Sequence, residues 1–155
     1  SGNNVSNGSI EFALGDYVPY LLHQAHYGIV RGFEADLRRF DIVLAEWRVT
    51  AVLAHHGRLR FGDLAQATGL EPPTLVRILK GMEGKHWVAR QQSDVDRRAT
   101  DITATPVGLA LARSIVPLAE KAATVALQGF TEDELEFLRR LLKRIVQNIS
   151  PGGAI

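Results

Sequence analysis

The chain has 155 residues, 46% of them hydrophobic, and a formal net charge of +1; this suits one domain with a packed core and excludes a general electrostatic attraction to nucleic acid. The absence of cysteine excludes disulfides, thiolate metal sites and thiol-based catalysis. Because charges and glycines interrupt every apolar run, we expect neither a signal peptide nor a membrane span, and a cytoplasmic protein.

The N-terminal part of the chain predicts a leader and one long helix. Residues 1–15 begin with small polar side chains, and we expect them to form a disordered leader. Residues 16–43 contain apolar side chains at helical spacing from Leu21 to Phe40. Asp16 is the expected N-cap of this helix.

The next segment, residues 44–104, predicts a compact mixed unit. Leu44–Gly57 is expected to be a helix whose inward positions are Leu44, Trp47, Ala51 and Leu53 or Ala54. The charged and apolar residues of Arg58–Phe61 alternate, which predicts a short strand.

Two short helices and a hairpin follow. The first helix, Asp63–Thr68, ends at Gly69, which can adopt the left-handed conformation of a tight corner. The second begins at Pro72 and carries one apolar stripe, formed by Leu75, Ile78, Leu79 and Met82. Trp87–Gln92 and Ala99–Thr105 are strand-like, and the residues between them, SDVDRR, predict a turn.

Residues 105–149 predict two further helices. Thr105 and Pro106 begin the first, which extends to about Gln128, and Thr131 with Glu134 forms a capping box for the second. Residues 150–155 are an expected frayed tail.

Two short helices with a glycine corner, followed by a hairpin, have the element order of a winged helix-turn-helix. The stretch LEPPTLVRILKGMEGKHWVARQQSDVDRRATDITATPVG, preceded by AEWRVTAVLAHHGRLRFGDLAQATG, resembles the MarR/SlyA family of dimeric transcriptional regulators, over about Leu21 to Ile149. The resemblance implies a mainly α fold with a small β-wing (α+β). Its winged helix-turn-helix core lies between N- and C-terminal dimerisation helices.

The sequence departs from the family pattern at three positions. Val43 stands where a threonine or serine helix cap is usual, His86 replaces the usual glycine after the recognition helix, and Ala104 replaces a leucine in the last wing strand. Since none of the three lies on the expected DNA face, they put local stability in question rather than function.

The candidate DNA-binding residues are Pro72, Pro73, Thr74, Arg77, Asp96, Arg97 and Arg98. The slim N-terminal end of the second short helix suits a major groove, where Thr74 can contact a base or a phosphate and Arg77 can reach guanine. In the family, the arginine equivalent to Arg98 reaches the minor groove and the aspartate equivalent to Asp96 holds it in place.

Charge alone is weaker evidence for DNA binding. Residues 44–104 contain nine lysines and arginines against seven acidic residues, an excess that a solvated surface also shows. An alternative is therefore a winged-helix module that binds a protein partner without DNA. A salt titration against duplex DNA separates the two, because phosphate contacts give a steep salt dependence.

The terminal helices carry more apolar surface than the small winged unit can cover, although an intrachain bundle is an alternative. The resemblance implies a homodimer that intertwines these helices and binds a pseudo-palindromic site, with its recognition helices roughly 34 Å apart.

A second cluster predicts a ligand site, with Tyr20, His23, Tyr27, Arg31 and Trp47 as its residues. His23, Tyr27 and Arg31 share one helix face, and the resemblance implies a cleft that binds small aromatic carboxylates, while packing across an interface is the alternative. The histidine pairs His23/His26 and His55/His56 lack a suitable third ligand, so we expect no metal site. We expect no cofactor and no enzyme activity, because no catalytic or phosphate-binding motif is present.

Overall fold

The computed structural model describes residues 8–150 and 152. Residues 1–7 of the expected leader lie outside the described residues, as do residues 151 and 153–155 of the expected tail. A short 3-10 helix, Leu14–Asp16, precedes the main body. No helix of the described residues is both long enough and apolar enough to cross a membrane.

Six α-helices and a small sheet make up the rest of the described chain, as the predicted fold class requires. The elements are α1 (Val18–Arg38), α2 (Leu44–His56), β1 (Arg58–Arg60), α3 (Phe61–Thr68), α4 (Pro72–Gly84), β2 (Val88–Gln92), β3 (Thr100–Ala104), α5 (Pro106–Ala126) and α6 (Glu132–Ile149). The antiparallel sheet has the order β1-β3-β2, with Leu59 opposite Ile102 and Val88 opposite Ala104.

The winged unit has its own hydrophobic cluster, formed by side chains of α2, α3, α4 and the sheet. Its buried members are Val49, Leu53, Leu64, Leu75, Ile78, Leu79, Met82, Val88 and Ile102. All four predicted stripe residues of α4 are among them, so burying one face of this helix turns its opposite face to solvent.

A second cluster joins α1 to α2 and α5, with Phe33, Leu37, Ile42 and Ile115 as its buried residues. Among the described residues, Trp87 alone packs against both clusters. The Trp87 side chain therefore links the winged unit to the long helices.

The expected cap of α1 is wrong. The N-cap is Tyr17, without a side-chain hydrogen bond, and Asp16 ends the preceding 3-10 helix. Pro19 explains the late start, because proline has a fixed φ and no N–H to be capped, which suits the first helical turn. The capping residues Thr105 and Thr131 do accept hydrogen bonds, from the N–H groups of Gly108 and Glu134.

The expected inward face of α2 is only partly right. Leu53 is fully buried, but Val49 and Thr50 are buried as well, whereas Ala54 is exposed. Because α2 packs against α3, α4 and β3 as well as against α5, its buried surface is wider than one stripe.

Helix α6 buries none of its residues. Its capping box is formed as predicted, with Thr131 and Glu134 each binding the other's backbone N–H at 3.2 and 2.8 Å. On the surface of this helix, Phe137, Leu142 and Ile149 are exposed to 52%, 36% and 75%.

The substitution Gly108→Ala tests how closely α5 approaches Trp87. A methyl group on Gly108 would overlap the backbone carbonyl oxygen of Trp87. We expect the substitution to lower the free energy of unfolding by about 1–3 kcal/mol, measured by denaturant unfolding at fixed protein concentration.

Gly81→Ala is the matched control, because nothing lies within 4 Å of a methyl group at this position in α4. We expect it to stabilise the protein by about 0.5–1 kcal/mol, since alanine loses less backbone entropy in a helix than glycine. Equal effects of the two substitutions would contradict the close contact.

Candidate nucleic-acid interface

Helix α4 is held by its buried stripe and begins at Pro72. The corner before it is formed by Gly69, whose φ of 69° is the left-handed conformation predicted for this position. Pro72 and Pro73 are exposed and Thr74 is half-buried. These three residues give the helix a narrow N-terminal end.

The solvent face of α4 carries Val76, Arg77 and Lys80. Val76 is 47% exposed, and Arg77 and Lys80 are exposed too. Neither cation forms an ion pair with another described residue. The Arg77 guanidinium is therefore free to donate to a ligand.

The wing is the hairpin of β2 and β3, and hydrogen bonds fix its turn. Ser93 is 4% exposed, and its hydroxyl oxygen accepts from the N–H groups of Val95 at 3.3 Å and Asp96 at 3.4 Å. The Ser93 N–H donates to the Ala99 carbonyl at 3.0 Å, and the Ala99 N–H donates to the Asp96 carbonyl at 2.9 Å. The tip of the wing is thus an ordered turn.

Asp96 binds the backbone of Arg98 and not the guanidinium group of that arginine. The Asp96 carboxylate accepts from the backbone N–H of Arg98 at 3.0 Å, and the Gln92 amide donates to the Arg97 carbonyl at 2.5 Å. Both arginine side chains are exposed, and neither forms an ion pair within the described chain. Their charges project from a fixed turn.

Between α4 and the wing lies a groove of about 530 Å³ that sequence reasoning missed. Its lining includes three arginines: Arg60 at the end of β1, Arg90 on strand β2 of the wing and Arg98 in the turn of the wing. The alternation in the RLR strand was the available signal, because it places Arg58 and Arg60 on one face. The approach of β1 to the wing is a tertiary feature that the pattern alone does not reveal.

The predicted ligand residues are brought together only in part. The His23 and Tyr27 rings stack at 6.2 Å, and the Arg31 guanidinium donates to the Tyr27 hydroxyl at 3.4 Å. Trp47 packs instead against Phe33, with ring centroids 5.9 Å apart, in the second cluster. Tyr20 is half-buried on α1, so the assignment of these five residues to one ligand site stays a prediction.

His26, His55 and His56 have protein partners. His26 Nε2 lies 3.2 Å from Arg48 Nη2, and the rings of His55 and His56 are in edge contact at 4.8 Å. Within residues 8–150 and 152, no group of three or more histidine, aspartate or glutamate side chains is arranged to hold a metal ion.

Comparison with known proteins identifies similar sequences and folds. Residues 42–100, which span α2 to the first residue of β3, match the sequence model of the MarR family. The HTH-type transcriptional repressor IacR of Pseudomonas putida is 24% identical over 141 residues, which cover 91% of this chain and 84% of IacR.

Solved structures agree with this match. A MarR-family transcriptional regulator from Silicibacter pomeroyi has a TM-score of 0.80 and 25% identity, covering 88% of this chain and 92% of its own. BpsR of Bordetella bronchiseptica, whose DNA binding is regulated by 6-hydroxynicotinic acid, has a TM-score of 0.73 and 25% identity over 83% of this chain and 97% of its own.

Proposed function

We propose that this chain, which belongs to the MarR family of transcriptional regulators, acts as a homodimeric repressor in the cytoplasm on a pseudo-palindromic operator and is released by a small aromatic acid. The family consists of transcription regulators and not of enzymes. The observation that carries the proposal is the position of the wing beside α4, because Val76 of α4 and Arg98 of the wing line one groove.

Helix α4 enters the major groove with its N-terminal end. Arg77 donates two parallel hydrogen bonds to O6 and N7 of a guanine, the commonest specific contact of arginine with a base. Thr74, close to the exposed Pro72 and Pro73, contacts a base edge or a phosphate. This helix therefore supplies most of the sequence preference.

The wing enters the adjacent minor groove. A narrow, A·T-rich minor groove concentrates negative potential and attracts arginine, which suits the exposed side chains of Arg97 and Arg98. Asp96 contributes indirectly, because its hydrogen bond to the Arg98 N–H holds the turn from which the arginine extends. The wing adds affinity and reads groove shape.

Dimerisation uses the apolar surface that the single chain leaves open. Helix α6 has no buried residue, and Leu21, Leu22 and Ile29 on α1 are exposed to 47%, 37% and 37%. Covering these side chains with a second copy removes them from water. A two-fold dimer then presents two copies of α4 to successive major grooves, roughly 34 Å apart.

The effector is a small aromatic carboxylate bound by Tyr20, His23, Tyr27, Arg31 and Trp47. Arg31 and His23 bind the carboxylate, and the stacked ring of Tyr27 contacts the aromatic ring. The regulation of BpsR by an aromatic acid supports the ligand class. Binding shifts the dimer toward a spacing of its recognition helices that no longer fits the operator.

Variants of the two arginines test the DNA-binding mode. Arg77→Ala should cost about 1–3 kcal/mol and relax the preference at one base pair in each half-site, because a bidentate base contact is lost. Arg98→Ala should weaken binding to most sequences and lower the salt slope by about one per subunit. Asp96→Ala should give part of the Arg98→Ala effect, since the charge remains but its turn is loosened. Titrations of operator and scrambled duplexes, selected first from random DNA, measure all three at several salt concentrations.

These substitutions lie on the surface, so their melting temperatures should change little. If Arg98→Ala binds both duplexes as tightly as the unmodified protein, the wing does not touch DNA. A shallow salt dependence of the unmodified protein would favour a protein-binding module instead.

The dimer is tested by analytical ultracentrifugation at micromolar concentration, where we expect about twice the 17.0 kDa chain mass. Leu142→Glu should shift the population toward monomer, because it places a charge in the proposed interface. Gln147→Glu adds the same charge on the opposite side of α6 and should leave the dimer intact. A monomer for the unmodified protein would remove the basis of the spacing argument.

Calorimetry with salicylate and related acids tests the effector. We expect binding at millimolar concentrations or below, with weakened DNA binding in parallel. His23→Ala and Arg31→Ala should reduce both effects, because they remove groups that hold the carboxylate. No heat of binding across the panel would assign the cluster to interface packing.

A further inference from the structure

The groove between α4 and the wing has the charge of an anion site. Its lining consists of Arg60, Phe61, Gly62, Asp63, Val76, Arg90, Arg98, Ala99 and Thr100. The lining thus contains three arginines and one acidic residue, Asp63. It is net basic, although the whole chain has a net charge of only +1.

The three arginines differ in whether they form an ion pair within the described chain. Arg90 is paired with Glu83 of α4, whereas Arg60 and Arg98 form no ion pair with a described residue. Arg58, two residues before Arg60 on β1, shows the contrast, because Asp94 and Asp101 each lie 3.8 Å from it. Arg60 therefore lies beside the wing without an ion pair to a described residue.

The location of the groove follows the geometry of duplex DNA. A sugar-phosphate strand separates the major groove from the minor groove on each side of it. If α4 occupies one groove and the wing the next, that strand crosses the gap between them. Val76 of α4 and Arg98 of the wing both line the gap, so the backbone passes over the free Arg60.

We propose that the Arg60–Arg90–Arg98 groove binds a phosphodiester of the DNA strand that runs between the recognition helix and the wing. This inference rests on the proposed function and adds Arg60 and Arg90 to the DNA-binding residues. Arg60 donates to the phosphate directly. Arg90 donates to the phosphate when its ion pair with Glu83 opens. The negative charge of Asp63 weakens the attraction of the groove for anions.

The first test replaces Arg60 by methionine, which retains an aliphatic stem and removes the charge. Arg60→Met should weaken binding to operator and scrambled duplexes by a similar factor, about tenfold, because a phosphate contact carries no sequence information. The salt slope should fall by about one per subunit. Arg140→Met is the control, since Arg140 is also exposed but lies on α6 over the Phe137 ring; it should change neither affinity nor slope.

The second test increases affinity. Glu83→Gln frees Arg90 from its ion pair, and we expect about threefold tighter binding to both duplexes. Glu136→Gln makes the same charge change beside Arg139 on α6 and should leave DNA binding unchanged. Circular dichroism and melting curves establish that all four variants are folded.

The outcomes separate this inference from the proposed function. If the unmodified protein binds its selected duplex with a steep salt dependence but Arg60→Met and Glu83→Gln bind as it does, the groove inference is overturned and the regulator stands. If the unmodified protein binds no duplex, the proposed function fails and the inference fails with it.

Binding of inorganic phosphate to the DNA-free protein tests whether the groove takes a free anion instead of a phosphodiester of DNA. Saturation of the DNA-free protein by millimolar phosphate, abolished in Arg60→Met while DNA binding is unaffected, would assign the groove to a small anion and overturn the proposal. Loss of DNA affinity without such saturation supports it.

Discussion

The packing of Trp87 against both hydrophobic clusters is the contact on which the rest of the structure depends. The residue follows α4 and precedes β2, so it lies where the recognition helix turns into the wing. Its carbonyl accepts from the Thr105 N–H at 3.0 Å, and Lys85 Nζ lies 4.3 Å from its ring centroid. Because Gly108 in the first turn of α5 also lies against its carbonyl, α4, the wing and the long helices are all positioned from this point.

The end of α4 is also tied to the long helices by Lys85. Its ammonium group donates to the Asp41 carbonyl at 3.2 Å and to the Glu46 carboxylate at 3.3 Å, which connects α4 to the corner between α1 and α2. Under the proposed function, a displacement of α1 or α5 would move α4 and the wing together. Small shifts of packed elements can switch a protein between two states, so such a displacement would change the affinity for DNA without local unfolding.

Most of the fold could be predicted from the sequence, because each element has a local signal: the buried stripe of α4, the left-handed Gly69 and the capping residues Thr105 and Thr131. The prediction of Asp16 as the N-cap of α1 was wrong, because Pro19, the second residue of the helix, has no N–H group to be capped. His86 stands where the resemblance implies a glycine, and its φ of 61° is the left-handed conformation that favours glycine. The groove arginines Arg60 and Arg90 could not be predicted as a pair, since β1 and β2 lie on either side of β3 and only the tertiary fold brings both residues to the lining of one groove.

If α4 and the wing form one DNA-binding surface, amide hydrogen exchange should show it in a comparison of the free and DNA-bound protein. We expect slower exchange on binding a selected duplex in two segments, residues 74–77 and 93–98, with little change in α6. Protection confined to α6, or none in the wing, would contradict it.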